Sequence, residues 1–395
     1  MTVAVVGGGL AGLRTCEALR ARGYDGAIVL IGDEQHPPYS RPPLSKEVLR
    51  GDKDPSVATF RGADALAALD LDVRLGRRAM ALRVGDREVA LDDGSTLRFD
   101  DVVVATGARP RALPGVTAAG VHMLRTLDDS IALRADLRAG ARVVVVGAGF
   151  IGLEVAAAAR TRGCDVTVVD VLPAPLARVL DSRLGSAVAA LHAAHGVTIR
   201  CGVGVEAVGG TGRVERVVLT GGDEVAADTV VVGIGVVPAT DWLADSGLTL
   251  DDGVVCDESL QAAPHVWAVG DVARWHSPSL GRLVRIEHWT NAAEQPDHVA
   301  RAICGDVAAF DPVPYFWSDQ YDAKLQCLGF AGLGDEIAVV RGSLDEPKWV
   351  ALVRTGDRLG GVVGLRSPGQ VMKLKPLLAA HTDWTDAVGQ VAAGS

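Results

Sequence analysis

The chain has 395 residues, 48% of them hydrophobic, a formal net charge of −10 and a pI near 5.4. That length admits two or three domains with large cores, and the acidic balance speaks against nucleic acid or an anionic membrane surface as a partner. A glycine fingerprint begins at Gly7 and no apolar run reaches the roughly 18 residues of a membrane span, so the sequence predicts a cytoplasmic protein without a leader.

The first predicted unit is a strand over Thr2 to Val6, a glycine turn, a helix over Leu10 to Arg22 and a strand over Ala27 to Ile31. Asp33 follows Gly12 by about twenty residues, the distance at which a ribose-binding acid is expected. "DDVVVATGARPR" adds a sheet strand ending in Gly and Pro. The same order then repeats: "RVVVV" as a strand, Phe150 to Arg162 as a helix, "DVTVVD" as a strand, Asp170 as the acid, and "ADTVVVGIGVVP" as the later strand. These runs are continuously apolar, as in parallel sheets covered on both faces. From Pro314 the character changes. "FWSDQY", "KLQCLG", "IAVVRG" and "WVALVRTGDRLGGVVGL" predict antiparallel strands, followed by a helical "GQVMKLKPLLAA". All seven tryptophans lie after residue 240.

Two fingerprints in full strand–turn–helix–strand context, each with a downstream acid, predict two bound dinucleotides. In each, the first glycine (Gly7, Gly147) makes the tight turn. The second (Gly9, Gly149) lets phosphate oxygens approach the backbone, and the third (Gly12, Gly152) lets helix and strand pack closely. The helix N-terminus adds about half a positive charge beside the pyrophosphate. Two dinucleotides suggest a relay in which a nicotinamide delivers a hydride and a flavin releases electrons singly, with FAD in the first unit and NAD(P)H in the second. "WAVGDVARW" fits this reading, because an apolar strand ending in Gly270-Asp271 sets a carboxylate where ribityl hydroxyls would sit.

The six cysteines are Cys16, Cys164, Cys201, Cys256, Cys304 and Cys327. They form no CxxC and no zinc spacing and are expected to be small, mostly buried, reduced residues. The nine histidines are scattered and give no metal constellation; His288 is read as packing or as supporting a residue that touches the cofactor.

In combination, "PPYSRPPLSKEVL", "ATGARPR", "GAGFIGLEVA", "GIGVVPATDWLADSGL", "WAVGDVARW", "EHWTNAAEQ" and "FWSDQYDAKLQCLG" resemble the oxygenase-coupled NADH–ferredoxin reductases, which include putidaredoxin reductase-like and aromatic-ring dioxygenase branches. The resemblance covers nearly the whole chain in order. It implies an α/β fold of glutathione-reductase type: two Rossmann-like dinucleotide-binding domains plus a C-terminal α+β domain with an antiparallel sheet. The implied FAD domain is split over residues 1–108 and 240–314, with an NAD domain over 109–239 and a flavin-covering domain over 315–395. Ala11, Asp33, Lys46, Met80, Arg125, Asp271 and Trp289 match FAD-contacting positions, and Arg41 matches an arginine of the dioxygenase branch. Glu154 and Lys46 match a carboxylate–ammonium pair beside flavin and nicotinamide, and Glu287 is placed to contact nicotinamide or flavin. Trp317 is expected to wall the flavin ring and Phe316 to pack in the core. Arg178 matches an arginine of NADH-using relatives and is assigned to NAD binding, not to a 2′-phosphate.

The absent dithiol carries weight here. Disulfide-reducing and peroxide-reducing relatives need cysteine at the flavin, and "GDEQHPPYSRPPLSKEVL" has none. Electrons must therefore leave to an external acceptor, which the resemblance implies is a two-iron, two-sulfur ferredoxin serving a haem monooxygenase or ring-hydroxylating dioxygenase. Hydride transfer from nicotinamide to flavin needs positioning and electrostatic tuning, with Lys46 acting and Glu154 holding it. Two rivals stand beside this reading: a rubredoxin reductase of the same fold and, from another functional class, a redox-sensing flavoprotein similar to apoptosis-inducing factor. The chain is expected to be a monomer or weak homodimer. Arg61, Lys373 and Lys375 are candidates for a basic docking patch, while Asp297 stands where a relative carries a basic residue.

Overall fold

The computed structural model describes residues 1–332 and 336–393. The chain divides into two compact units, each assembled from three separate stretches. Met1–Ser40, Ala58–Arg109 and Val236–Pro312 make the first; Arg41–Val57, Pro110–Gly235 and the chain from Val313 onward make the second.

In the first unit Thr2–Val6 lies between Asp101–Val104 and Ala27–Gly32. Asp72–Leu75 continues the sheet on one side, Val266–Ala268 and Gln261–Ala263 on the other, and every pairing except the last is parallel. Val3, Ala4 and Val5 are fully buried, as the unbroken apolar run required. Strand order reverses beside Thr2–Val6, which places the first glycine turn at a topological switch point, where open α/β sheets bind ligands. Helix Leu10–Ala21 packs along helix Trp289–Ile303.

The second unit carries two five-stranded sheets. One is parallel, in the order Thr198–Cys201, Asp165–Asp170, Arg142–Val146, Thr229–Val232, Val121–Met123. The other is antiparallel, in the order Tyr315–Gln320, Ala323–Gly329, Arg358–Leu365, Trp349–Thr355, Glu336–Gly342. A single apolar cluster joins them, with Val155, Leu184, Leu325 and Trp349 in one core together with Leu49. The stretch Arg41–Val57 is fixed to this unit by hydrogen bonds to its backbone carbonyls. Ser130 Oγ donates to Leu44 O at 2.7 Å, Arg162 Nη1 to Arg50 O at 2.6 Å, and Arg134 Nη1 to Val48 O at 3.3 Å.

One local expectation needs correction. The stretch "GQVMKLKPLLAA" forms two short helices, Pro368–Lys373 and Lys375–Ala379, interrupted at Leu374. Pro376 has no N–H to continue a helix but suits the first turn of a new one. A further helix, Trp384–Ala393, buries Trp384, Ala387 and Val391 against Leu352, Val362 and Leu378. The cysteines are mostly buried, as expected: Cys16, Cys164, Cys256 and Cys327 are buried, Cys201 is half-buried and Cys304 is exposed. Burial pushes the Cys16 and Cys327 thiols up to about 12, so neither is a nucleophile at neutral pH. No helix among the described residues is long and apolar enough to cross a membrane.

Two histidines, His192 buried and His288 half-buried with its ring shielded from water, set an acid limit on stability. Burial pushes His192 and His288 down to about 4, partly offset by a Gln320 hydrogen bond for the first and by the Asp271 charge for the second. Both are neutral in the fold, while in the unfolded chain they protonate near 6.5. Between those values the unfolded state binds more protons, so stability falls as pH drops, by about 1.4 kcal/mol per pH unit for each histidine. Urea unfolding midpoints are expected to be flat above pH 7 and to fall from pH 6.5 toward 5. Replacing His192 with Gln should make the fall shallower.

Candidate active site

The two units carry the same glycine turn, atom for atom. Gly7 N–H donates to Ile31 O and Gly147 N–H to Val169 O, both at 2.7 Å. Leu13 N–H reaches Gly9 O at 3.0 Å and Leu153 N–H reaches Gly149 O at 2.9 Å. Gly7 and Gly147 have φ of +130° and +107°, values that favour glycine. A methyl on Gly12 would stand 1.9 Å from Gly7 O, and one on Gly152 2.0 Å from Gly147 O. At Gly9 and Gly149 a methyl would meet nothing within 4 Å. Neither helix has a side-chain N-cap. Open space beside an uncapped helix N-terminus fits a dinucleotide pyrophosphate in both units.

The two acids differ. Asp33 follows its strand and is exposed. Asp170 is the last residue of its strand and half-buried; its Oδ2 accepts the Ala148 N–H at 2.7 Å and its Oδ1 the Leu172 N–H at 2.8 Å. It therefore anchors the second glycine turn as well as presenting a charge. Arg178 is exposed near Gly235, 3.2 Å from where a methyl on that glycine would sit.

Elsewhere in the first unit, Asp271 lies in a short turn, Gly270–Val272, that begins with Gly270 at φ +77°. Ala11 packs so close to Gly270 that a methyl there would lie 3.1 Å from the Ala11 Cβ. The Gly270 N–H donates to Gln295 Oε1 at 2.6 Å. Gln295 Nε2 and Asn291 Oδ1, both on helix Trp289–Ile303, are buried without a protein partner. Unsatisfied polar atoms beside the Asp271 turn suit a polar ligand. Sequence reasoning missed both residues, although each stands in the quoted "EHWTNAAEQ" motif. Trp289 begins that helix and is half-buried. Glu287 is ion-paired with Arg285 at 2.6 Å, and Met80 projects outward, 54% exposed.

In the second unit the structure brings four of the expected residues together in pairs. Arg41 Nη1 donates to Arg125 O at 2.6 Å, and Arg125 precedes a capping box in which Thr126 and Asp129 fix the start of helix Leu127–Asp136. Lys46 Nζ lies 2.7 Å from Glu154 Oε2, with both residues buried, at 7% and 4% exposure. Ser45 Oγ donates to the same carboxylate oxygen at 2.5 Å, and Ser318 Oγ donates to Oε1 at 2.6 Å. Trp317, next to Ser318, stacks on Tyr315 at 6.0 Å and has the Lys324 ammonium 5.6 Å from its ring centroid. Phe316 packs on Phe150 with ring centroids 4.6 Å apart, the core role expected of it.

Residues 1–296 match the pyridine nucleotide-disulphide oxidoreductase family, and residues 315–390 match the reductase C-terminal family. Rhodocoxin reductase of Rhodococcus erythropolis is 38% identical over 98% of this chain and 91% of its own. The chain belongs to this family of reductases. The anthranilate 1,2-dioxygenase ferredoxin–NAD(+) reductase component of Burkholderia cepacia is 43% identical to the present reductase, over 86% of this chain and 84% of its own. The crystal structure of the covalent putidaredoxin reductase–putidaredoxin complex matches it with a TM-score of 0.94 at 36% identity, covering 100% of this chain and 98% of that one. The reductase is an FAD-dependent, NADH-oxidising enzyme of glutathione-reductase-like fold with an added antiparallel sheet domain.

Proposed function

We propose that the reductase draws hydride from NADH and delivers electrons one at a time to a two-iron, two-sulfur ferredoxin that supplies an oxygenase. The buried Lys46–Glu154 pair, in the unit that carries the second glycine turn, is the observation that supports this most directly. Bound FAD supplies the chemistry that converts a two-electron hydride donor into single-electron output. The remaining work belongs to the protein. Residues 1–108 and 240–314 hold FAD: Gly7, Gly9 and Gly12 admit its pyrophosphate, Ala11 lets the Gly270 turn approach, and Asp33 takes a ribose. Asp271 accepts ribityl hydroxyls, and Met80 and Trp289 flank the cofactor. Arg41 and Arg125 are assigned to FAD as well, each bringing positive charge.

Residues 109–239 hold NADH through Gly147, Gly149, Gly152, Asp170 and Arg178. Lys46 presents its ammonium to the reacting rings while Glu154 fixes its position. Residues 315–395 contribute Trp317 as a ring-walling aromatic, and Glu287 serves the nicotinamide side. The absence of cysteine from residues 32–49 favours an external acceptor over an internal disulfide. The deciding experiment is NADH-driven reduction of a ferredoxin panel, with rubredoxin included, followed by visible absorbance. Reduction of none of the ferredoxins would reject the proposal.

Asp271→Ala is expected to weaken FAD retention by about 1.5–3 kcal/mol, the value of a charge-assisted hydrogen bond. Gel filtration followed by the flavin-to-protein absorbance ratio reads this directly, and full retention would remove Asp271 from the site. Ferredoxin reduction should slow as salt rises toward physiological strength if basic groups dock an acidic partner. Arg61 is already paired with Glu17, whereas Lys373 is exposed on its helix, so Lys373→Glu should slow the ferredoxin step more than Arg61→Glu.

A further inference from the structure

The Glu154 carboxylate is the end of a longer run of polar groups within the second unit. Ser318 Oγ lies 2.6 Å from Glu154 Oε1, Gln320 Nε2 3.1 Å from Ser318 Oγ, and His192 Nε2 2.8 Å from Gln320 Oε1. The Tyr321 hydroxyl lies 3.2 Å from His192 Nδ1. Ser318, Gln320 and His192 are 0%, 1% and 0% exposed. Tyr321 is half-buried and stacks on exposed His195 at 3.7 Å. A buried polar run is costly unless its members are paired, and these are paired in sequence from a side chain near the surface to Glu154.

The carboxylate fixes the direction of every bond in the run. It accepts, so Ser318 must donate to it. The Ser318 oxygen is then free to accept from the Gln320 amide N–H, which turns the Gln320 oxygen toward His192. That oxygen requires the Nε2–H tautomer of His192, and the bare Nδ1 takes the Tyr321 proton donor. All hydrogens point toward Glu154. Hydrogen bonds aligned in this way polarise one another in a low-dielectric interior. They also hold Oε1, leaving Oε2 to face Lys46 and Ser45.

We propose that His192, Gln320 and Ser318 are positioning residues that orient the Glu154 carboxylate, and through it the Lys46 ammonium, for hydride transfer. This rests on the reading of Lys46 and Glu154 as the charged pair serving the flavin. The run links helix Ser182–Ala194 and strand Tyr315–Gln320 to that pair, so the C-terminal sheet would set the geometry of the reductive step.

The test uses the FAD-loaded enzyme mixed anaerobically with NADH. Gln320→Leu and His192→Phe are expected to slow flavin reduction at saturating NADH about tenfold, with NADH affinity unchanged. His192→Gln keeps an amide N–H near the Nε2 position and should recover most of the rate. Ser318→Ala removes a single hydroxyl and should behave like Gln320→Leu even if the latter folds poorly. In a Glu154→Gln background, Gln320→Leu should add no further slowing. Independently of rate, histidine-selective 15N NMR should show His192 as the neutral Nε2–H tautomer, assigned by its loss in His192→Gln. An Nδ1–H tautomer, or multiplicative slowing in the double variant, overturns the proposal. So do wild-type rates in Ser318→Ala and Gln320→Leu alongside a slow Glu154→Gln. A wild-type rate in Glu154→Gln itself would instead remove the reading of the pair on which the proposal stands.

Discussion

Glu154→Ala is expected to destabilise the reductase by about 3–5 kcal/mol, the usual cost of removing one partner from a buried ion pair. It leaves the Lys46 ammonium with the Pro42 carbonyl at 3.2 Å as its remaining hydrogen-bond partner among the described residues. Lys46→Met should cost less, about 1–3 kcal/mol, because Ser45 and Ser318 still donate to the carboxylate. The order reverses for a specifically electrostatic role in the rate. Lys46→Met deletes the charge itself and should slow flavin reduction on the order of 10²-fold. Lys46→Arg keeps the charge but changes its shape, and should recover part of that loss. Urea unfolding and anaerobic stopped-flow absorbance read the two effects separately. A Lys46→Met variant that is reduced at the wild-type rate would make the pair structural only.

The second large effect is cofactor choice. Wild-type reductase should prefer NADH over NADPH by the order of 10²-fold in kcat/KM. The 2′-phosphate of NADPH would bring nearly two negative charges toward Asp170, and a unit charge at about 4 Å costs roughly 4 kcal/mol at an effective dielectric near 20. Solvent and side-chain motion reduce that cost. Because both Asp170 oxygens accept backbone N–H groups, Asp170→Ala should do two things at once: narrow the preference between cofactors, and raise KM for both by releasing the Ala148 N–H. Asp170→Asn keeps an acceptor for one N–H but turns an amide donor toward the other. It should therefore impair both cofactors while still losing discrimination. If the Asp170→Ala ratio of NADH to NADPH stays at the wild-type value, the residue anchors the turn and selects nothing.

What was legible in the sequence follows from the range of the physics involved. The two fingerprints were readable because each glycine answers a local steric demand; Gly12 and Gly152 leave no room for a Cβ against the carbonyl of the turn's first glycine. Continuous apolar runs likewise marked the parallel strands. The Lys46–Glu154 pair entered through family resemblance, since no local pattern connects positions 46 and 154. The assignment of Arg41–Val57 to the second unit was invisible for a related reason. It depends on carbonyls accepting from Ser130, Arg134 and Arg162, and backbone acceptors are present in every sequence. Gln295 and Asn291 were quoted within a motif, but their unpaired buried atoms appear only once the helix is folded. Helix Trp384–Ala393 was missed because Thr385, Asp386, Val388 and Gly389 are weak helix formers. Burial of Trp384, Ala387 and Val391 outweighs that propensity.

The three-part assembly of the second unit also sets an order of events during synthesis. Its core needs Leu49 from an early stretch, Val155 and Leu184 from the middle, and Leu325 and Trp349 from the last quarter of the chain. At roughly 5–20 residues per second, ribosomes need some tens of seconds to supply all three parts. Through most of that time Leu49 and the nucleotide-binding helix have no completed core to enter. The nascent reductase is thus expected to engage chaperones that shield apolar surface, and truncation before residue 313 should yield insoluble protein even though both glycine turns are present.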